Sequence, residues 1–516
     1  MCHRNHRNCV TQERSCSLVV IYLQQRLPDT VLLQAALGKS TPQRALCFEN
    51  PRKWTGCSSR MCSKMMIKRT IHAALGLCLR TGDRRMAPPQ QDVVRALFST
   101  KTTYSASFGG WEEMDKNFIN TKSLIESRSP TCRPLQVNAV FRHGTRYPSQ
   151  NDFKILHRLQ GVQEYITNKK YYKLKSWKNK FSDTEPKILA ETGRKEMQDL
   201  GQRYSWYFPR LISRTHSANG RLKFTSSDLS RTIESAEMFI EGLQKVMGSK
   251  EEGASVKLDI LNSDTDVLAR FFDNCEKFIR TIEKNKTALA EVSKFGDGNE
   301  VHSVVEGLIK RLGIPEDISF NKDHAKAIFS VCAFELAIWG KSDWCDALTT
   351  SDLQVLEYLA DLKHYWRKGY GYELNYHICC RLLQELFTIM EQAVSGIKRD
   401  DHLVGSFWFG HAETIFPLIS ILGLFNDTVK LRADNFDTSR DRLFRGSKLA
   451  PFASNVAIVV YECDENKTDA DDFMVEVLVQ ETPMTLPCCQ SSLCQYTTVK
   501  ECYSKWLNDC DFEKLC

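Results

Sequence analysis

The chain has no apolar run of the roughly 18 to 20 residues that a membrane-spanning helix needs. Its longest candidates, residues 17–23 and 71–79, are far shorter. It has no Cys-x-x-Cys pair, which removes the usual ligand spacing of zinc fingers and of thioredoxin-type redox centres. Internal repeats and low-complexity tracts are also missing, so solenoids and fibres are set aside. Charge of one sign is absent from most of the 516 residues. The net +7 comes from residues 1–100, where 16 Lys and Arg face five Asp and Glu; the other 416 residues carry −4. A body that binds nucleic acid is therefore not expected. A hydrophobic fraction of 42% with 26% charged residues is ordinary globular usage, which excludes a disordered chain or a disulfide mini-scaffold.

Cysteine is plentiful instead, with seven residues before position 100 and 13 after it. Scattered cysteines in a large chain fit an oxidising compartment, although a free thiol also packs well as a small apolar group. Asn-x-Ser/Thr tripeptides at Asn285, Asn426 and Asn466 point to the same compartment. If these 13 pair only among themselves, at least one thiol is left unpaired. Lys68-Arg69 ahead of residues 71–79 has the form of a secretory signal, which would require translation to begin near Met65. Residues 1–96 show no sustained period and are expected to be an extension, disordered or holding that signal-like segment. If they were a nucleic-acid-binding arm, binding would depend steeply on salt.

Residues 135–142 (LQVNAVFR) read as a buried strand of a parallel sheet. The strand runs into Arg142-His143-Gly144-Thr145-Arg146-Tyr147-Pro148, a loop at a strand's carboxyl end, where open α/β sheets bind ligands. Further strands are expected over 221–227, 403–411, 455–463 and 474–481, and helices over 191–207 and 231–246. The second helix has Ala236, Phe239, Ile240, Leu243 and Met247 at helical spacing and Gly248 as its stop. Residues 250–400 read as helical almost throughout. The expected fold class is α/β: a parallel-type sheet with flanking helices from residues 97–245 and 400–485, interrupted by an inserted helical domain over 246–399 that roofs the site. A separate Cys-rich tail follows over 486–516. Cys132, just before the first strand, and Cys463, at the end of a later one, are placed to bridge neighbouring strands.

Cleaving a phosphate monoester requires a nucleophile, fixed positive charge around the phosphoryl oxygens and an acid for the departing alkoxide. His143 can attack phosphorus through an imidazole nitrogen, giving a phosphohistidine that water hydrolyses. Arg142 and Arg146 flank it with planar donor forks matched to phosphate, and Gly144 is expected to let the backbone approach the phosphoryl group. Arg231 follows the strand ending Thr225-Ser226-Ser227 and opens a helix, near its positive end. His411-Ala412-Glu413 precedes an apolar helix expected over 415–424 with Pro417 near its start. His411 is placed to contact phosphate, and Glu413 is the candidate proton donor if burial or substrate holds its proton. His377 and His402 match no motif position and are expected to be satisfied or solvent-exposed. Six lysines interleaved with aromatics over 168–180 either attract a highly charged substrate or form a solvated basic loop.

RHGTRYP at 142–148, TSSDLSRTIESA at 225–236 and HAE at 411–413 resemble the motifs of the histidine acid phosphatases. HAE in place of the usual His-Asp is similar to the multiple inositol polyphosphate phosphatase branch of that family. The stretches FFDNCEKFIRTIEKNKTAL, WCDALTTSDLQVLEYLADLKHYWRKGYGYELN, FGHAETIFPLISILG and PFASNVAIVVYEC carry the same likeness, which covers residues 97–483. The resemblance implies a phosphoglycerate-mutase-like histidine phosphatase sheet. It also implies an enzyme that removes phosphate from inositol hexakisphosphate, lower inositol polyphosphates and 2,3-bisphosphoglycerate, with no metal, no cofactor and no nucleic-acid partner. By resemblance His143 is the nucleophile, Glu413 is the proton donor, and Arg142, Arg146, Arg231 and His411 bind the phosphate.

Such a protein is expected in the endoplasmic reticulum lumen or outside the cell. The chain ends Asp511-Phe512-Glu513-Lys514-Leu515-Cys516 rather than in a KDEL-like signal, and residues 1–96 resemble nothing in the family. Three alternatives stay open: a broad-specificity phosphatase of small monoesters, a phosphotransferase that passes the phosphoryl group to a sugar or glycerate, and a non-catalytic inositol-phosphate-binding protein. An intact nucleophile and acid argue against the last.

Overall fold

The alternating apolar run ahead of the RHG motif forms strand β1 (Arg133–Arg142), which is central in a mixed eight-stranded sheet. The computed structural model describes residues 132–181, 186–248, 256–395, 402–463 and 473–516. All belong to one structural unit, Met86–Cys516. The expectations for residues 1–96 and for the Asn466 sequon lie outside the described residues.

The remaining strands are β2 (Leu222–Ser227), β3 (Leu258–Leu261), β4 (Gly405–Gly410), β5 (Asn455–Glu462), β6 (Phe473–Val479), β7 (Thr482–Met484) and β8 (Leu493–Gln495). Their order is β3-β2-β4-β1-β5-β6-β7, with β8 also on β6. Only β3, β2, β4 and β1 run parallel. The expectation of a parallel-type sheet is thus corrected for the other half. After β4 and α8 the chain returns to the carboxyl end of the parallel strands, so β5 runs back antiparallel and pairs Asn455 with Phe141.

The longer helices, in chain order, are α1 (Gln150–Val162), α2 (Glu191–Tyr207), α3 (Ser230–Met247), α4 (Asn299–Leu312), α5 (Lys322–Trp339), α6 (Thr350–Lys368), α7 (Cys380–Val394) and α8 (Ala412–Ile421). The period of two along each strand divides the core. Val137, Ala139 and Phe141 of β1, with Phe407 and Phe409 of β4, pack on Met197, Leu200 and Tyr204 of α2 and Phe239 of α3. Val140, Trp408 and Ile458 face the other way, into the cluster that holds α7, α8 and the helices of residues 299–368. Each such buried side chain contributes roughly 1.5 to 3 kcal/mol. α3 stops at Gly248, whose φ of 71° is the left-handed conformation a glycine adopts without strain.

Two elements depart from the reading of the sequence. Residues 250–400 are not helical throughout: β3 pairs in parallel with β2 and extends the sheet, because four residues carry too little period to signal a strand. The apolar helix begins at Ala412 rather than 415 and ends at Ile421, so Pro417 is interior. The start lies in the polar HAE segment, where the His411 N–H donates to Thr414 Oγ1 at 3.1 Å.

Cys132–Cys463 closes the amino end of β1 onto the carboxyl end of β5, as their placement suggested. Residues 486–516 are not free-standing. β8 adds to β6, Cys275–Cys516 and Cys380–Cys510 tie the segment to the helical region, and Cys488–Cys502 and Cys489–Cys494 brace it internally. With Cys332–Cys345, this leaves Cys379 as the free, buried thiol among the described residues. No helix among them is long and apolar enough to cross a membrane.

Candidate active site

β1, β4 and β2 all end at one edge of the sheet, and the six residues singled out in the sequence meet there. Arg142 is the last residue of β1, and the His143 N–H donates to Gly410 O at the end of β4 at 3.1 Å. Arg231 is the second residue of α3 and Glu413 the second of α8, so two helix N-termini converge on the same place. The rings of His143 and His411 stand edge to face, with centroids 5.6 Å apart. His377 packs its ring on Trp506 and His402 lies beside Arg221, both as expected of residues outside the motifs.

Hydrogen bonds fix the state of both histidines. His143 Nδ1 lies 2.9 Å from Gly144 O; a carbonyl only accepts, so Nδ1 carries the proton and Nε2 keeps a lone pair. His411 Nδ1 faces Arg231 Nη2 at 3.4 Å, and a guanidinium only donates. Its Nε2–H is therefore given to Ser227 Oγ at 3.0 Å, within a chain that continues to Thr232 Oγ1. Both imidazoles are held well below their ordinary pKa, first by burial; Arg142 then acts most on His143, and Arg231 on His411.

The cationic groups are crowded and short of acceptors. Arg142 Nη1 donates to Ala450 O and its guanidinium lies 4.2 Å above the Phe452 ring, but Nε is buried with no acceptor. Arg231 Nε is in the same condition. Burial and then Arg146 push Arg142 down to about 9 and Arg231 down to about 10. Arg146 donates to Tyr147 O at 2.7 Å. Buried donors without partners cost about 1 to 3 kcal/mol each, so such a cluster signals an anion site.

Four further residues were not singled out in the sequence. Arg270 bonds Asp273 at 2.5 Å while its Nε and Nη1 are buried without acceptors, and it acts electrostatically on Arg231 and His411. The preceding carbonyl, Ala269 O, accepts from Thr414 Oγ1 at 2.7 Å, which ties this loop to α8. Lys368 at the end of α6 bonds Glu413 at 2.7 Å. Glu196 of α2 accepts from Thr145 N and Oγ1 at 2.9 and 3.0 Å, and Ser235 Oγ accepts from Gly144 N at 3.1 Å.

Gly144 has a different reason from the one expected. A Cβ there would meet Gly193 O at 2.4 Å, so the absent side chain lets the loop cross the backbone of α2 rather than admitting a phosphoryl group.

Burial alone pushes the Glu413 carboxyl up, but Lys368, its hydrogen bond and His411 prevail and hold it well below the usual carboxylate range. Among the described residues no three His, Cys, Asp or Glu side chains gather as metal ligands would. An imidazole with a lone pair on Nε2, a carboxyl and four arginines, three of them with buried donors lacking acceptors, at one sheet edge are the groups needed to bind a phosphate, attack it and protonate what leaves.

This is the fold of the histidine phosphatase superfamily (branch 2). Residues 135–480 match that family, and the chain belongs to it as an enzyme of the histidine acid phosphatase class. Multiple inositol polyphosphate phosphatase 1 of Homo sapiens is 35% identical to it, over 86% of this chain and 94% of the relative. Its Gallus gallus counterpart is 34% identical over 76% and 86%. Two solved structures share the fold. The phytase from D. castellii matches with a TM-score of 0.64 at 17% identity, covering 75% of this chain and 82% of that one. The Bifidobacterium longum multiple inositol polyphosphate phosphatase in complex with inositol hexasulfate gives 0.57 at 16%, covering 73% and 93%.

Proposed function

We propose that this protein hydrolyses phosphomonoesters of inositol polyphosphates, from inositol hexakisphosphate downward, and of 2,3-bisphosphoglycerate, through a phosphohistidine at His143. The observation that carries the reading is the tautomer of His143. A buried, neutral imidazole whose Nε2 keeps a lone pair, ringed by arginine donors lacking acceptors, is built for attack on a bound phosphate. Arg142, Arg146 and Arg231 take the oxygens of the scissile group, joined by Arg270, and His411 lines the group while it supports Arg231.

Nε2 bonds to phosphorus as the ester P–O bond breaks, and the bond pair stays on the inositol oxygen, which takes a proton from Glu413. The ionised Glu413 of the free site gains that proton from a monoanionic ester, which the arginines hold as its dianion. Water then bonds to phosphorus as the P–Nε2 bond breaks, its proton passes to Glu413, and inorganic phosphate leaves with the lone pair restored on Nε2. The arginines supply the charge stabilisation, so no resident metal or cofactor is invoked. The disulfides and the sequons Asn285 and Asn426 support a secretory-pathway location, in the endoplasmic reticulum lumen or outside the cell.

The test is phosphate release from inositol hexakisphosphate and from an aryl phosphate, with EDTA present, by the full chain and its His143→Ala variant. Release from the inositol substrate that the variant lacks is expected. Release from the aryl phosphate alone moves the substrate to small monoesters. Release from neither, with inositol hexakisphosphate still bound, makes the protein a binder.

A further inference from the structure

One strong contact at the site takes no part in holding phosphate. Glu413 sits among Arg142, Arg146 and Arg231, each of which it stabilises electrostatically, yet its carboxylate bonds none of them. It bonds Lys368 Nζ at 2.7 Å, a nearly buried ammonium with 9% side-chain exposure, against 36% for Glu413. A carboxylate captured by an arginine would fill the donors meant for substrate and would turn its own oxygens away from the leaving group. Here the carboxylate is bonded to Lys368, and Arg142 Nε and Arg231 Nε are without acceptors.

The lysine arrives in a fixed position. Glu357, Asp361, His364 and Lys368 follow one another on α6 at spacings of four, three and four, which places them on one helical face. That face is pinned along its length. Ser447 Oγ donates to Glu357 at 2.9 Å, Arg442 Nε and Gly446 N donate to Asp361 at 2.8 and 2.7 Å, and His364 stacks on Phe416 of α8 with centroids 4.8 Å apart. Asn375 Nδ2 closes the end of α6 on Trp366 O and Gly369 O. Lys368 itself lies 5.9 Å from the centre of the Phe416 ring, so His364 and Lys368, one turn apart on α6, rest on one aromatic of α8.

We propose that Lys368 is the positioning residue of the proton donor: through one ammonium, α6 holds the Glu413 carboxylate clear of the arginines and aimed at the leaving-group oxygen. The inference rests on the phosphohistidine reading above. Its signature is dependence on the leaving group. An inositol alkoxide needs the proton of Glu413 as the P–O bond breaks, whereas nitrophenolate departs as a stable anion without one.

The test compares wild type, Lys368→Met and Lys368→Arg of the full chain on inositol hexakisphosphate and p-nitrophenyl phosphate, with melting temperatures as the check on folding. In the Met variant kcat on the inositol substrate is expected to fall roughly 10- to 100-fold, and on the aryl substrate by less than about threefold. The Arg variant, which keeps the cation, is expected to recover most of the loss. Equal losses on both substrates, no loss on either, or an Arg variant as impaired as Met would each overturn the inference. If Lys368→Met does not fold, Lys368→Gln is read by the same criteria. Wild type inactive on both substrates removes the hydrolase reading and this inference with it; active wild type beside an indifferent Met variant removes the inference alone.

Discussion

The Nδ1–H of His143 is donated to Gly144 O at 2.9 Å, so the loop that carries this imidazole also sets its tautomer. The phosphoryl group is then expected on Nε2. A protein quenched in alkali during turnover should carry phosphate on the His143 peptide, stable to base and lost in acid, and His143→Ala should carry none. Mass spectrometry of the quenched digest makes the check. Phosphate on a serine instead, or none during turnover, would refute the route.

Burial, reinforced by the arginines, holds His143 well below its ordinary 6.5, and this has two consequences with definite signs. The imidazole stays neutral as the pH falls through 6.5, so kcat/KM should persist well into acid if His143 attacks phosphorus. Stability moves the other way: below 6.5 the unfolded chain binds protons that folded His143 refuses, so this contribution is lost as the pH falls. Wild type should thus lose more melting temperature between pH 7 and 5 than His143→Asn. The comparison is needed because Asp361, pushed up to about 7 by burial, titrates in the same range. Equal losses in both proteins would mean that His143 titrates normally.

Four arginines gathered at one sheet edge destabilise the free protein and favour an anion. Inorganic phosphate at about 100 times its Kd is expected to stabilise the fold by about 2.7 kcal/mol, read as a rise in melting temperature. Arg270→Ala, which removes two buried donors without acceptors, should weaken that effect and raise KM about tenfold, the loss of one charge-assisted hydrogen bond. A variant that binds phosphate as wild type does would show that Arg270 serves the loop and its bond to Asp273.

His143, Arg142, Arg146, Arg231, His411 and Glu413 were legible because each lies within a few residues of a strand's end, where a local pattern and the sheet's geometry coincide. Arg270 and Lys368 were not. The first sits in a loop, and the second closes an amphipathic helix where a basic residue is ordinarily a response to the helix dipole. What brings them to the site is the return of distant chain to the sheet edge, which no local window records. The direction of β5 was hidden for a similar reason: a period of two reports burial, not whether a strand runs up or down. Gly144 was legible as a required glycine, but the backbone it admits, Gly193, lies on α2.

The link Cys132–Cys463 separates stability from chemistry. It clasps β1 and β5 beside the pair Arg133 and Glu462, whose side chains bond at 2.8 Å, while the site stands at the other end of β1, roughly 30 Å away at about 3.3 Å per residue. Removing such a link from a folded domain costs about 2 to 4 kcal/mol, chiefly by freeing the unfolded chain. The double variant Cys132→Ser with Cys463→Ser should therefore melt several degrees lower, with kcat and KM on inositol hexakisphosphate unchanged where it is folded. The register of ten-residue β1 against both neighbours persists without the link, since β4 and β5 hydrogen-bond it along most of its length. A fall in kcat at temperatures where the variant is fully folded would show that strain at the amino end of β1 reaches His143, and that the sheet transmits it.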